Sequence, residues 1–198
     1  MRDKYRNFAD LAKNEKRGVD FQIRSRACAV TTVVVAPHGG GIEPGTSEMA
    51  EAIADVDLSF YAFEGIKARD NRRLHITSTN FDEPDSLALV AKSGRVVAIH
   101  GADSEQAVAI LGGRDKVTVL RLSESLERRG FTVKNDVEGL QGWGTKNICN
   151  RGTQGAGVQI EISHGLRSAF FPSLTRAGRQ TKTERFWDFV AGVREVIA

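Results

Sequence analysis

The chain has 198 residues, of which 40% are apolar and 27% charged. That balance excludes a disordered chain and fits one domain, residues 1–198, large enough to bury its own core. A net charge of +3 and a pI near 9.0, with no run of five Lys and Arg, exclude a nucleic-acid-grade basic tail but leave open an attraction for anionic ligands.

The chain opens MRDKYRNFADLAKNEKRG, polar and charged rather than a secretory leader. Within it, Tyr5, Phe8, Leu11 and Ala12 have helical spacing over 5–14. No stretch approaches the run of about 20 apolar residues that a membrane span requires. A cytoplasmic site of synthesis is expected, with action outside the cell after lysis or by an unusual export route. Residues 28–36 (CAVTTVVVA) read as a strand buried on both faces and ended by Pro37. A glycine-rich turn, HGGGIEPG, leads into TSEMAEAIA, a helix that Thr46 or Ser47 can cap.

Residues 57–63 and 73–78 read as two further strands. Pro84 starts a helix over 84–92, with Asp82, Glu83 and Asp85 as its cap and first turn, stopped at Gly94. Residues 95–100 and 106–111 read as buried strands, 115–129 as a helix ending at Gly130, and 131–134 as a strand. A loop rich in Gly and Asn spans 139–156. The last strand is 157–163, and 180–196 is an amphipathic helix. Strands that alternate with helices in this way predict an α/β fold: a mixed, largely parallel central sheet flanked by helices on both faces. Cys28 and Cys149 form no CxxC pair and read as reduced, structural thiols.

In open α/β sheets, ligands bind beyond the carboxyl ends of the strands. His38 follows the strand 28–36, His100 ends 95–100, and Glu161 lies within 157–163. Histidine nitrogen and carboxylate oxygen both suit zinc. His38 and Glu43 can converge on one ion if Gly39, Gly40 and Gly41 let the chain turn sharply. The HxxxxE spacing alone is weak, and the segment lacks the ending of a P-loop. His100 supplies a third ligand from a distant strand end, which leaves a fourth position for water. A strand-end histidine is more often simply packed, and His75 is an alternative third ligand or a substrate contact. Strand alternation sets Gln159, Glu161 and Ser163 opposite Val158, Ile160 and Ile162. A buried carboxylate there is costly unless it is paired or near a metal, which makes Glu161 a candidate general base. Asn150, Arg151 and Arg167 are candidate anion clamps, although any one arginine is commonly surface charge.

Four stretches in order, PHGGGIEPGTSEMA, FYAFEG, LHITSTNFDEP and NICNRGTQGAGVQIEISHGLR, resemble the poly-γ-glutamate hydrolase family of bacilli and their phages. The likeness covers about residues 30 to 170. It implies a fold similar to the zinc carboxypeptidases (phosphorylase/hydrolase-like) and one zinc ion on His38, Glu43 and His100. It also implies Glu161 as general base and Asn150–Arg151 as a carboxylate-binding pair. The expected reaction is hydrolysis of γ-glutamyl amide bonds in anionic poly-γ-glutamate by zinc-activated water, in a monomer with no nucleic-acid or membrane partner. Two other readings stay open: an amidohydrolase of small N-acylated amino acids, and a phage replication or nucleic-acid-binding protein.

Overall fold

Seven strands form one sheet in the order β1 (Phe21–Arg26), β3 (Ser59–Gly65), β2 (Thr32–Gly40), β4 (Arg95–Ala102), β7 (Val158–Ser163), β5 (Ala109–Gly113), β6 (Val133–Asn135). The structure is a computed structural model and describes residues 3–198. β2 runs parallel to both β3 and β4, β4 to β7, and β5 to β6, while β1 on β3 and β5 on β7 are antiparallel. This is the mixed, largely parallel sheet that the alternation of elements predicts.

Each central strand is buried on both faces because each face meets its own layer. On one side, α2 (Thr46–Ala54), α4 (Lys116–Arg128), α5 (His164–Phe170) and α6 (Glu184–Ile197) cover Val34, Val97, Ile99, Val158, Ile160 and Ile162. On the other, α1 (Phe8–Leu11), α3 (Pro84–Val90) and the segments around Leu74 and Ile148 cover Val33, Val35, Val96 and Ala98. Odd and even positions of β2 thus feed different cores, as a period of two requires. Phe131, Phe170, Phe186 and Phe189 bind the first layer together, with ring centroids 5.1 to 6.3 Å apart. Such pairs add about 0.5–1.5 kcal/mol each beyond area burial. Among the described residues, no helix is long and apolar enough to cross a membrane.

Several expectations need correction. The strand predicted over 28–36 begins at Thr32 and runs through Pro37 to Gly40. Its register on β3 shifts between Ala36 and Gly39, a bulge, where a residue lacking N–H costs the ladder little. Neither Thr46 nor Ser47 caps α2: Gly45 occupies the cap position, Thr46 Oγ1 donates to the Glu43 carbonyl, and Ser47 Oγ accepts the Gly40 N–H. Residues 73–78 are not a strand. Asn71–Leu74 form a 3₁₀ turn, and the extended stretch after it gives its backbone to other partners: Thr77 N to Asp3, Ser78 O to Ile148 N, Ile76 O to His38. The segment has strand propensity, but no neighbouring strand offers it a ladder. β1 and α5 have no counterpart in the sequence reading. β1 lacks the dense apolar run of a central strand because it is an edge strand, exposed along part of its length. Glu83 caps α3 as expected, and both cysteines are free.

Candidate functional site

The carboxyl ends of β2, β4 and β7 converge on one side of the sheet. The parallel register of β4 on β7 sets His100 directly opposite Glu161, so both side chains leave the same face of adjacent strands. β2 delivers His38 from within its bulge, and the chain then folds back so that Glu43 N donates to His38 O at 2.9 Å. Gly40 makes this return possible. Its φ is +65°, and a Cβ there would stand 2.5 Å from Gly65 O.

Four side chains meet at that point. His38 Nδ1 lies 3.2 Å from Glu43 Oε1 and 3.2 Å from His100 Nδ1. Glu43 Oε2 is 4.0 Å from His100 Nδ1 and accepts the Gly101 N–H at 2.8 Å. His75 Nε2 is 3.6 Å from Glu43 Oε1, and His38, Glu43 and His75 offer ligand atoms that all lie within 4.8 Å of one another. The outer nitrogens are held as well: His38 Nε2 donates to Ile76 O at 2.7 Å, His75 Nδ1 faces Asp3 at 2.7 Å, and His100 Nε2 meets Ser78 Oγ at 3.2 Å. With its proton on Nε2, neutral His38 presents a lone pair at Nδ1 to a carboxylate oxygen and a second imidazole nitrogen. A proton on Nδ1, or a cation in its place, holds these atoms together.

A divalent cation suits these donors. Ligand atoms at about 2.0–2.1 Å from a tetrahedral ion stand about 3.3 Å apart, and two imidazoles on it have ring centroids about 5 Å apart. The rings of His38 and His100 are 5.0 Å apart and inclined at 60°. Those of His38 and His75 are 4.0 Å apart and inclined at only 33°, closer to a stack than to two ligands of one ion.

The charges follow from the geometry. Burial opposes ionisation of Glu43, but the surrounding imidazoles, His38 first, outweigh it and hold the carboxyl down to about 2. Burial and then the His38 charge push His100 down to about 3. Burial likewise disfavours the charge on His38, but Glu43 outweighs it and raises its pKa. Glu161 is only 8% exposed, and burial first, then the Glu43 charge, pushes it up to about 8. Its Oε1 accepts from Gln159 Nε2 at 3.1 Å, and Gln159 Oε1 accepts from Asn147 at 2.8 Å.

These shifts make the metal-free protein pH-sensitive. A group whose pKa is raised by folding gives stability below its unfolded value that is lost as pH rises through its folded one. Between about pH 6.5 and 8 the lowered imidazoles of His75 and His100 no longer titrate, while the two raised groups, Glu161 and His38, give up their protons. Chelated protein is expected to lose about 1–2 kcal/mol over that window, read by urea unfolding at each pH. Glu161→Gln should lessen the slope and leave the His38 share; an unchanged slope would place the proton elsewhere.

The cleft above this cluster has a volume of about 640 Å³. His38, Glu43, His75, His100 and Glu161 line it, with Asp3, Arg72, Asp103 and Trp143. Asn150, Arg151 and Arg167, expected as anion clamps, are not among its lining residues. Asn150 donates to Gly142 O and Gly144 O and accepts from Gly157 N. The Arg151 guanidinium donates to the carbonyls of Lys146, Phe81 and Thr79. That of Arg167 donates to Ile162, Pro44 and Ala102, bracing the turn that carries Glu43. The cation at the cleft is Arg72, missed because the 3₁₀ turn that carries it has no pattern in the sequence. Asp3 and Trp143 were missed as well. The glycines flanking Trp143 marked a loop but not the direction of its side chain.

The family model described as "Poly-gamma-glutamate hydrolase" matches residues 5–192. The UPF0714 protein YmaC of Bacillus subtilis (strain 168) is 38% identical, over 98% of this chain and 84% of its own length. A solved bacteriophage poly-γ-glutamate hydrolase superposes with a TM-score of 0.96 at 31% identity, covering 98% of this chain and 96% of that one. A zinc-free form of YndL superposes at 0.93 with 36% identity, covering 98% and 97%.

Proposed function

The chain belongs to the poly-γ-glutamate hydrolase family, and from that premise we propose that it is a zinc-dependent hydrolase of the γ-glutamyl amide bonds in poly-γ-glutamate. The observation that carries the metal is the approach of Glu43 Oε1 and His100 Nδ1 to His38 Nδ1, each at 3.2 Å, in the lining of a cleft. Those two separations match the spacing of ligands around one ion. His38, Glu43 and His100 would hold zinc, and the ring geometry favours His100 over His75 for the third place. Zinc supplies, when bound, a more acidic water and a polarised amide carbonyl.

The remaining work falls to side chains of this protein. Glu161, buried beside the ligand cluster and ionised when a cation sits there, takes a proton from the attacking water and delivers it to the nitrogen of the leaving amine. Gln159 holds the Glu161 carboxyl in place. The carbonyl of Ile76 fixes the Nε2–H tautomer of His38, and Asp3 orients the His75 ring toward Glu43. His75 is left to hydrogen-bond the substrate or the oxyanion that forms on it.

Metal analysis of the purified protein, paired with polymer sizing before and after chelation, tests the proposal. One equivalent of zinc and a fall in polymer length that chelator abolishes and zinc restores are expected. Depolymerisation that persists with the metal fully removed would end the zinc reading.

A further inference from the structure

We propose that Arg72 reads the free α-carboxylate of the glutamyl unit at the scissile bond, taking it in place of Asp103; this rests on the hydrolase reading above. Poly-γ-glutamate keeps one α-carboxylate per unit, so its enzyme must neutralise negative charge close to the amide it cuts. The cleft is poorly supplied for that. Its lining carries the carboxylates of Asp3, Glu43, Asp103 and Glu161, and among the described residues Arg72 is its one Lys or Arg.

Three of those carboxylates are committed. Asp3 holds Thr77 N and His75, Glu43 holds Gly101 N amid the imidazoles, and Glu161 holds Gln159. Asp103 differs, because its hydrogen-bond partner is Arg72 Nη2 at 2.6 Å. Their side chains are 54% and 69% exposed, and ion pairs so exposed hold weakly. Asp103 therefore stands on the guanidinium as an internal carboxylate that an incoming one can displace.

The base of Arg72 is fixed while its head is free to exchange. Asn71 accepts from Lys67 N and donates to Lys67 O, both at 2.9 Å. It also packs so tightly on Gly41 that a Cβ on that glycine would stand 2.5 Å from Asn71 Nδ2. The turn bearing Arg72 is thus seated on the loop between His38 and Glu43. A guanidinium fork rising there can grip a carboxylate through two parallel hydrogen bonds.

The test compares a γ-linked glutamyl oligomer with the same oligomer whose α-carboxylates are converted to amides. Wild type is expected to lose about 10- to 100-fold in kcat/KM on amidation, the worth of hydrogen bonds to a charged group. Arg72→Gln should lose a similar factor on the carboxylate oligomer, mostly in KM, with zinc content unchanged and no further loss on the amidated one. Asp103→Asn, which removes the competing carboxylate, should lower KM. Equal losses for Arg72→Gln on both oligomers, or none on either, would overturn the assignment. Equal cleavage of both by wild type would overturn it too, while sparing the hydrolase reading. If wild type with zinc cleaves neither, the hydrolase reading falls and this inference with it.

Discussion

Glu161→Gln is expected to keep one equivalent of zinc and lose about 10²–10⁴-fold in turnover, the range that positioned proton transfer supplies. The amide matches the carboxylate in shape, so it can keep its neighbours Gln159 and His100 in place. It cannot take a proton from water. Removing an ionisable group from a site this buried should leave stability unchanged or raised. Amine release measured on a defined oligomer, with metal content by emission spectroscopy, separates the two effects. Activity near the wild-type level would take Glu161 out of the mechanism, and loss of zinc would recast it as a ligand or its support.

The second large effect concerns the third zinc ligand. His100→Ala is expected to lower zinc affinity by more than the roughly 10–100-fold that loss of an outer partner costs, and activity with it. His75→Ala should keep zinc at one equivalent and lose turnover, since its ring lies against His38 more nearly as a stack. Competition against a chelator of known affinity gives both numbers. The reverse pattern, zinc lost with His75 and kept with His100, would make the ligand set His38, Glu43 and His75, which also lie within reach of one another.

The parts of this site that were legible in the sequence share one property: each interrupts a strong pattern. His38 follows an unbroken β-branched run, His100 ends another, and Glu161 is a charge inside an apolar strand, so strand order and period two were enough to bring them together. Glu43 was legible through the glycines between it and His38. Asn150, Arg151 and Arg167 are strong donors in or beside a loop, the pattern an anion clamp would show. Sequence does not tell whether such a donor faces a ligand or the carbonyls of its own loop, and here it faces the carbonyls. The segment 73–78 misled in the opposite way. Its residues favour an extended backbone, and the backbone is extended after the 3₁₀ turn, but Ile76 and Thr77 turn their polar groups to His38 and Asp3 instead of a neighbouring strand. Arg72 was hidden because a four-residue turn leaves no periodicity to find.

The sheet closes on β1 at one rim and β6 at the other. Such rims leave unpaired main-chain groups that can template cross-β growth between copies. Here one is only three residues long and carries Lys134, and the other bears Arg24 and Arg26. An approaching strand from another molecule would meet bulky, internally paired side chains at one rim and too few partners at the other. The fold should therefore withstand crowding without fibril formation, even though the strands inside it are among the most apolar stretches of the chain.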